Sequence, residues 1–243
     1  MAAWRDRPIV LSGGTGGLGS ATARLLAAEG ARLVLGYHSH HDRAALLAAD
    51  CPGSTLCPAD IRDPAGRAAL LDAAPGLYGL VIFTGDPARG VSDEVLRQSV
   101  ETNYLGPIQL ARAAADRLRA ASTPGAIVLL ASMQAVYPFE NSTAYAAAKA
   151  ALVHAARVLA KECGGPPNIR VNVVAPGVTT GGMAEASVRA GKYDRFLERG
   201  VIPRWGHPDD IARAVRFFLE PDNYITGQVL AVDGGMTLRR DLA

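Results

Sequence analysis

The sequence predicts an α/β protein in which helices flank a doubly wound parallel sheet of seven strands. Short β-rich runs alternate with alanine-rich helical runs along the whole chain, which is typical of repeated strand–helix units. Several strands, such as residues 126–131, are continuously apolar, as expected of parallel strands that helices cover on both faces. Because no repeat, linker or change of composition divides the chain, we expect residues 1–243 to form one domain.

The predicted strands and helices follow in a regular order, and each strand except the last leads to a helix. The first strand (8–12) is followed by a glycine loop and a helix (18–30), in which Gly30 is a natural C-cap residue. A proline in the first turn marks the start of the helix over 64–75. The other strands are expected at 31–37, 54–60, 79–85, 125–132, 168–177 and 227–235, and the other helices at 42–50, in a long segment ending at 121, from 141 onward and at 207–220.

Composition and charge exclude several classes of protein. The net charge of the 243 residues is +2, so no electrostatic feature indicates a nucleic acid or a membrane surface as partner. No run reaches the ~18 apolar residues of a membrane-spanning helix, and residues 1–10 lack the apolar core of a signal peptide. Cys51, Cys57 and Cys163 lack metal-ligand spacing; the first two are able to pair, but free thiols are favoured. We therefore expect a cytoplasmic protein without a metal site.

A glycine-rich loop separates the first strand from the first helix. Glycines let the backbone approach a ligand closely, and the helix N-terminus offers N–H groups to a pyrophosphate. A glycine-rich turn without a ligand is the alternative, but the position at the first strand-to-helix turn favours a dinucleotide. The candidate cofactor-binding residues of the loop are Ser12, Gly13, Gly14, Thr15, Gly16, Gly17, Leu18 and Gly19.

Tyr145 and Lys149 are four residues apart in an alanine-rich helix, so they share one face of it. A phenol has a pKa near ~10, and a nearby ammonium group favours the phenolate. The pair therefore predicts a general acid and base, with Lys149 lowering the pKa of Tyr145; a surface pair without function is the alternative. His154 lies half a revolution away from Tyr145 and is expected to pack or to contact another subunit.

Ser132 follows the fifth strand, at the carboxyl edge where open α/β sheets bind ligands. Its hydroxyl is suited to hold a substrate carbonyl, unless it only satisfies backbone groups at the strand end. Asn141, Ser142 and Thr143 are N-cap candidates for the next helix, which places Tyr145 in the first helical turn.

These motifs together resemble those of the short-chain dehydrogenase/reductase family. Gly13, Gly17 and Gly19 behind Ser12 are similar to its T-G-x-x-x-G-x-G motif. The resemblance implies a Rossmann fold, a nicotinamide dinucleotide and a catalytic set of Asn103, Ser132, Tyr145 and Lys149, with Lys149 also holding the nicotinamide ribose. The family's asparagine is associated with a water relay to the lysine, whereas a buried asparagine also explains an irregular helical turn.

The resemblance implies further contacts to the cofactor. Asp60 and Ile61 match the family's adenine-contacting pair after the third strand, and the loop after the sixth strand is expected to pass under the nicotinamide. That loop supplies Pro176, Gly177, Val178 and Thr179. The chain departs from the family at Phe83, Thr84 and Gly85, where only the glycine of N-N-A-G is kept, and at Gly181, where the family has a threonine that Thr179 or Thr180 would replace.

The second strand indicates which dinucleotide binds. No acidic residue follows it before Asp42, whereas an acid there would accept hydrogen bonds from a free ribose 2′-hydroxyl. His38, Ser39, His41 and Arg43 are instead suited to a 2′-phosphate, so NADP(H) is favoured over NAD(H). A polar surface loop is the alternative, and Gly16 stands where many relatives that use NADPH have an arginine.

The closing segment, 201–238, is similar to that of 3-oxoacyl-[acyl-carrier-protein] reductases. The resemblance implies NADPH-dependent reduction of a 3-oxoacyl thioester, bound to acyl carrier protein or CoA, in fatty-acid or polyketide-type biosynthesis. A ketoreductase or alcohol dehydrogenase acting on a free small-molecule carbonyl is one alternative. A non-catalytic dinucleotide-sensing or scaffold protein is the alternative from another class.

Substrate and partner contacts are expected in the variable segments. Residues 178–206 are predicted to form a substrate lid, and Gln134, Tyr137 and Met183 are the candidate substrate residues. The lid's large apolar side chains either wall a substrate slot or form a small core of their own; they are Met183, Tyr193, Phe196, Leu197 and Trp205. Arg117, Arg119 and Arg170 either contact an acidic acyl carrier protein or only cover the surface. The alanine-rich helices resemble the subunit contacts of the family, which implies a dimer or a homotetramer.

Overall fold

The computed structural model describes residues 7–137 and 139–239. Within them a single seven-stranded sheet has the order β3-β2-β1-β4-β5-β6-β7, and every neighbouring pair of strands is parallel. The predicted doubly wound fold is therefore confirmed. The sequence predicts that residues 1–10 are not a signal peptide, and residues 1–6 of this segment lie outside the described residues. No helix of the described part of the chain is both long enough and apolar enough to cross a membrane.

The observed elements follow the predicted order. The strands are β1 (Pro8–Ser12), β2 (Arg32–Tyr37), β3 (Thr55–Pro58), β4 (Gly79–Ile82), β5 (Gly125–Leu130), β6 (Ile169–Pro176) and β7 (Val229–Val232). The helices are α1 (Gly17–Ala28), α2 (His41–Asp50), α3 (Pro64–Asp72), α4 (Asp93–Val100), α5 (Gly106–Ala120), α6 (Thr143–Glu162), α7 (Glu185–Arg189), α8 (Arg195–Glu198) and α9 (Pro208–Leu219).

Two details of the helices differ from the prediction. The long helix before residue 121 is two α-helices, α4 and α5, joined by a π-helical turn over Glu101–Leu105. The lid segment contains two short helices, α7 and α8, which the sequence pattern did not separate from a loop.

Apolar side chains fill both faces of the sheet. Val10 points into a core formed with α3, α5 and α6, whereas its neighbours Ile9 and Leu11 point into a second core formed with α1 and α9. Alternate residues of a strand face opposite sides, so a strand buried on both sides must be apolar throughout. This burial explains the continuous apolar runs in the sequence.

The strand order reverses at β1, which lies between β2 and β4. In open α/β sheets the crevice at such a reversal, outside the carboxyl ends of the strands, is where ligands bind. The glycine loop follows β1 at this point, and the segment of Phe83 follows β4 directly beside it, since Phe83 N donates to Ser12 O at 2.8 Å.

Arg170 is a structural residue, so its predicted role in contacting a carrier protein is wrong. It is buried in β6 and donates to the carbonyl oxygens of Phe218 (2.8 Å) and Glu220 (2.9 Å), which ties α9 to the sheet. Arg117 pairs with Asp72 at 2.5 Å on the surface. Arg119 pairs with Asp116 at 2.6 Å.

Replacing Arg170 by methionine should destabilise the fold strongly. Arg170→Met leaves two carbonyl groups without their donors, which we expect to lower the free energy of unfolding by about 2–4 kcal/mol. Arg117→Met, which removes an exposed ion pair, should cost less than about 1 kcal/mol. Urea denaturation measures both variants. Equal losses in the two variants would contradict the structural role of Arg170.

Candidate active site

The glycine loop forms a cradle that larger residues would fill. A Cβ atom on Gly19 would lie 2.7 Å from Gly13 O, and one on Gly13, which has φ +70°, would lie 2.9 Å from Thr84 N. A Cβ atom on Gly17, the first residue of α1, would collide with the backbone N of Gly182. The loop thus brings bare backbone to the positive N-terminal end of α1, which fits the pyrophosphate of a dinucleotide.

After β4 the chain lacks the asparagines that are typical of the family, and a new polar contact compensates for their loss. Thr84 Oγ1 lies 2.8 Å from Ser12 Oγ, across the boundary between β1 and β4. This hydroxyl pair joins the glycine loop to the β4 segment, where the family has asparagines. A Cβ atom on Gly85 would lie 3.0 Å from Asn103 Oδ1 and 3.3 Å from Lys149 Nζ. Gly85 therefore allows the asparagine and the lysine to approach the same point.

Tyr145 and Lys149 lie on α6 beside the end of β5. Tyr145 is the third residue of the helix, as the sequence predicts, although the side chain of the N-cap residue, Ser142, donates to Phe139 O rather than capping the helix. Lys149 Nζ lies 5.8 Å from the centroid of the Tyr145 ring and donates to Leu130 O at 2.9 Å. That bond fixes the lysine to the last residue of β5.

Ser132 lies two residues beyond β5 and completes the group. Its Oγ accepts a hydrogen bond from Gln134 N at 3.2 Å, and its hydroxyl also bonds to the Tyr145 side chain. Because the Gln134 N–H occupies one lone pair of Ser132 Oγ, the hydroxyl proton is free to point toward Tyr145 or toward a substrate oxygen.

Burial controls the ionisation of both groups on α6. Desolvation lowers the pKa of Lys149 from 10.5 to about 8. Desolvation also raises the pKa of Tyr145, and the hydrogen bond with Ser132 offsets part of this effect. This direction is opposite to the predicted one, because Lys149 is itself desolvated and directed at Leu130 O. Tyr145 is therefore a protonated phenol at neutral pH, as a proton donor requires.

Asn103 is fully buried in the π-helical turn between α4 and α5. Its Oδ1 accepts from Asp86 N at 3.0 Å, and its Nδ2 donates to Asp86 O at 2.9 Å and to Ser99 Oγ at 3.1 Å. Asn103 thus holds the loop after β4 from within an irregular turn. Its Oδ1 faces the active site beside Gly85. Asp86 and Ser99 lie in no recognised motif, so the sequence pattern does not predict them.

His38, Ser39 and Arg43 line the cavity after β2, where a 2′-phosphate was predicted. His41 turns away instead: its Nδ1 lies 2.8 Å from the hydroxyl of Tyr37. His41 is not among the residues that line the cavity, so the structure gives no support to the role predicted for it. His40 and Arg62 line the same end of the cavity and were not predicted.

The predicted adenine pair follows β3 at the cavity wall. Ile61 is buried in the core, and the carboxylate of Asp60 accepts from Arg62 Nε at 3.0 and 2.9 Å. This hydrogen bond is the main reason that the pKa of Asp60 is lowered. The Arg62 guanidinium thus balances the negative charge of Asp60 at this end of the cavity, and His38 Nε2 lies 3.6 Å from Asp60 Oδ2.

The loop after β6 lies directly on the glycine loop. Pro176, Gly177, Val178 and Thr179 line the cavity, as predicted. Thr179 Oγ1 donates to Gly181 O at 2.8 Å, and Thr180 Oγ1 donates to Gly206 O at 3.3 Å, so neither hydroxyl has its proton free. A Cβ atom on Gly181 would lie 2.7 Å from Pro208 Cγ, which explains why glycine replaces the family's threonine there.

One cavity of about 1660 Å³ extends from the glycine loop past Tyr145 to the lid segment. Gln134, Tyr137 and Met183, the predicted substrate residues, all line it. Gln134 Oε1 is buried and has no hydrogen-bond partner among the described residues. A buried acceptor of this kind needs a donor, which a substrate group would supply.

Some of the large apolar side chains of the lid segment line the cavity, and others form a small core, the two roles that the sequence predicts. Met183 and Tyr193 line the cavity. Phe196, Leu197 and Trp205 belong to a small apolar cluster with Val201 and Met236. The lid segment therefore has its own core and offers only part of its apolar surface to a ligand.

Comparison with known proteins gives relatives over almost the whole chain. A family profile described as Enoyl-(Acyl carrier protein) reductase matches residues 13–237. The 3beta-hydroxysteroid dehydrogenase 1 of Eggerthella lenta is 31% identical over 96% of this chain and 95% of that protein. A short-chain type dehydrogenase/reductase from Mycobacterium ulcerans superposes with a TM-score of 0.89 at 27% identity, over 97% of this chain and 91% of the other.

A solved variant of actinorhodin polyketide ketoreductase with NADPH is also similar. Its TM-score is 0.85 at 26% identity, over 95% of this chain and 97% of that one.

Burying Lys149 should carry a cost in stability that depends on pH. Below pH 8 both the folded and the unfolded lysine are charged, and the full desolvation cost is present. Between pH 8 and pH 10.5 the unfolded chain binds the proton more tightly, so the stability of the wild type rises with pH. Lys149→Met removes this effect. The lost bond to Leu130 O is a contribution that does not vary with pH, so we expect the wild type to gain about 3 kcal/mol of stability relative to the variant between pH 7 and pH 11.

Denaturant unfolding at several pH values measures the difference. Lys161→Met changes an exposed lysine near the end of the same helix and serves as the control, whose effect should not vary with pH. A stability difference between Lys149→Met and the wild type that does not change between pH 7 and pH 11 would show that burial of this lysine has no such cost.

Proposed function

Because the chain belongs to the short-chain dehydrogenase/reductase family of oxidoreductases, we propose that it reduces a ketone to a secondary alcohol with NADPH. The observation that carries the proposal is the meeting of Ser132, Tyr145 and Lys149 in one cavity with the glycine cradle. The family uses a nicotinamide dinucleotide and acts on small molecules, and the glycine loop fits a pyrophosphate by its geometry.

The site residues provide the proton and the charge that the reaction needs. A nicotinamide held by the glycine cradle would provide the hydride for the carbonyl carbon, and the site must then stabilise negative charge on the carbonyl oxygen. The hydroxyl groups of Ser132 and Tyr145, which bond to each other, hold that oxygen. Tyr145 gives it a proton, since burial keeps its phenol protonated. Lys149, whose pKa is about 8, is the neighbouring group that can give up a proton, from which the Tyr145 phenol is restored.

The roles of individual site residues are part of this proposal. Asn103 supports Lys149 from the π-helical turn. The glycine loop, the segments after β3, β4 and β6, and the residues after β2 hold the cofactor. Gln134, Tyr137 and Met183 contact the substrate, and the buried, unpartnered Oε1 of Gln134 supports its part.

The preference for NADPH rests on the residues after β2. His38, Ser39 and Arg43 line the cavity without a carboxylate on that strand end, and the Asp60 carboxylate is bonded to Arg62. A solved relative is described with NADPH and another with bound NADP.

We propose a 3-oxoacyl thioester as the substrate, in fatty-acid or polyketide-type biosynthesis. The closing segment and the similarity to a polyketide ketoreductase support this choice. The similarity to a hydroxysteroid dehydrogenase favours a second candidate, a free small-molecule carbonyl. Under either candidate, residues 178–206 act as the lid over the substrate.

We also propose a dimer or tetramer. Small alanines on the exposed face of α6 lie beside exposed apolar side chains such as Val158 and Leu105, which suits close packing of helices between subunits.

An NADPH-oxidation screen tests the proposed function and its substrate. Acetoacetyl thioesters, free ketones and aldehydes are compared, with a crotonyl thioester to detect reduction of a carbon–carbon double bond. The proposal expects the highest kcat/KM with an acetoacetyl thioester. Higher kcat/KM with a free ketone would favour the second candidate, and turnover of the crotonyl thioester alone would contradict ketone reduction.

Tyr145→Phe should remove the proton donor and leave the cofactor site intact. We expect kcat to fall by about 10²–10⁴-fold, the range for a general acid, while the Kd of NADPH stays within about twofold. Tyr224→Phe, at a fully exposed tyrosine, is the matched control and should behave as the wild type. Undiminished NADPH oxidation by Tyr145→Phe would refute the assignment of Tyr145.

Fluorescence titration with both cofactors should favour NADPH. We expect NADPH to bind at least about tenfold more tightly than NADH, since a discrimination of this size needs only about 1.4 kcal/mol from groups that meet the 2′-phosphate. Ser39→Asp should reverse the preference, because a carboxylate repels the phosphate and accepts bonds from a 2′-hydroxyl. Equal affinities in the wild type would exclude the roles given to His38 and Ser39.

A further inference from the structure

Ser99 is a residue of α4, and its polar side chain is completely buried against the π-helical turn and α6. Its Oγ lies 3.0 Å from Ala144 O and 3.1 Å from Asn103 Nδ2. Ala144 is the second residue of α6 and immediately precedes Tyr145. Ser99 is therefore in direct contact both with Asn103 and with the first turn of the helix that carries the proton donor.

The direction of each hydrogen bond in this group is determined. A carbonyl oxygen only accepts, so the single proton of the Ser99 hydroxyl goes to Ala144 O. Ser99 Oγ must then accept from Asn103, which requires the NH₂ side of the amide to face it. The second Nδ2 proton goes to Asp86 O, another carbonyl oxygen. Both amide protons of Asn103 are thus assigned.

The orientation of the amide decides what Asn103 presents to the site. With its NH₂ group fixed by Ser99 and Asp86, its Oδ1 faces Asp86 N and the space above Gly85, where Lys149 Nζ also points. A flipped amide would turn donor protons toward the ammonium of Lys149, another donor. An acceptor on this side favours the charged form of the buried lysine.

We propose that Ser99 is a positioning residue, which fixes the orientation of the Asn103 amide and joins it to the first turn of α6 that carries Tyr145. Packing alone does not account for a serine here, since an alanine would fill almost the same space without a hydroxyl to satisfy. The effect on turnover rests on the proposed ketone reduction. The link between Ser99 and Asn103 does not rest on it.

Ser99→Ala tests the effect on turnover. We expect kcat to fall about tenfold, the equivalent of one buried hydrogen bond of about 1.4 kcal/mol, with the KM of the carbonyl substrate and the Kd of NADPH within about twofold. Ser99→Thr keeps the hydroxyl and should restore kcat to within about threefold of the wild type. Ser54→Ala is the control, because that hydroxyl is buried without a partner among the described residues.

A wild-type kcat in Ser99→Ala would overturn the proposal, as would a change confined to KM or a failure of threonine to restore turnover. If Ser99→Ala does not fold, Ser99→Cys takes its place, since a thiol has nearly the same size but bonds weakly.

A double-mutant cycle with Asn103→Ala tests whether Ser99 acts through the asparagine. We expect Ser99→Ala to have no further effect on kcat in the Asn103→Ala background. The same cycle in unfolding equilibrium constants should depart from multiplicativity by at least about threefold, and it needs no substrate. Independent effects in both cycles would overturn the proposal. If the wild type oxidises NADPH with no carbonyl, the proposed function fails, and the unfolding cycle still decides the link.

Discussion

The hydrogen bond between Lys149 Nζ and Leu130 O is the contact on which the rest of the site depends. It fixes α6 to the carboxyl end of β5, and Ser132, two residues further along the chain, is thereby placed against Tyr145. The ammonium group is fully buried, and its desolvation lowers the pKa of Lys149 to about 8. A group that titrates near neutral pH is suited to proton transfer but is costly for the fold. The proton-transfer role proposed for Lys149 and the stability of the fold are therefore opposed at this residue.

The cofactor cradle depends on close contacts between backbone segments. The reversal of strand order at β1 brings the glycine loop beside the β4 segment, and the Ser12–Thr84 hydroxyl pair joins them without the family's asparagines. Gly181 lets the loop after β6 lie against α9, and Gly17 lets the backbone of that loop approach the glycine loop. Glycine at 181 is thus a structural requirement of this packing, and the missing threonine is explained by it.

Local patterns in the sequence predicted the strands, the helices and the residues that meet at the site. The order of β1 to β7 and the positions of Ser132, Tyr145 and Lys149 follow from apolar periodicity and motif spacing. The other features of the site depend on tertiary contacts, which the sequence pattern does not show. The burial of Arg170 and the partners of Asn103 come from segments far apart in the chain. The pKa of Tyr145 depends on desolvation, which no local pattern contains.

The most direct test of the account follows a hydrogen isotope through the wild-type enzyme. NADPH in which both hydrogens at C4 of the nicotinamide are replaced by deuterium is incubated with an acetoacetyl thioester, and the product is analysed by mass spectrometry and NMR. The account predicts a 3-hydroxyacyl thioester with one deuterium on the hydroxyl-bearing carbon. An alcohol product without deuterium on that carbon, or no alcohol from any carbonyl compound, would contradict it.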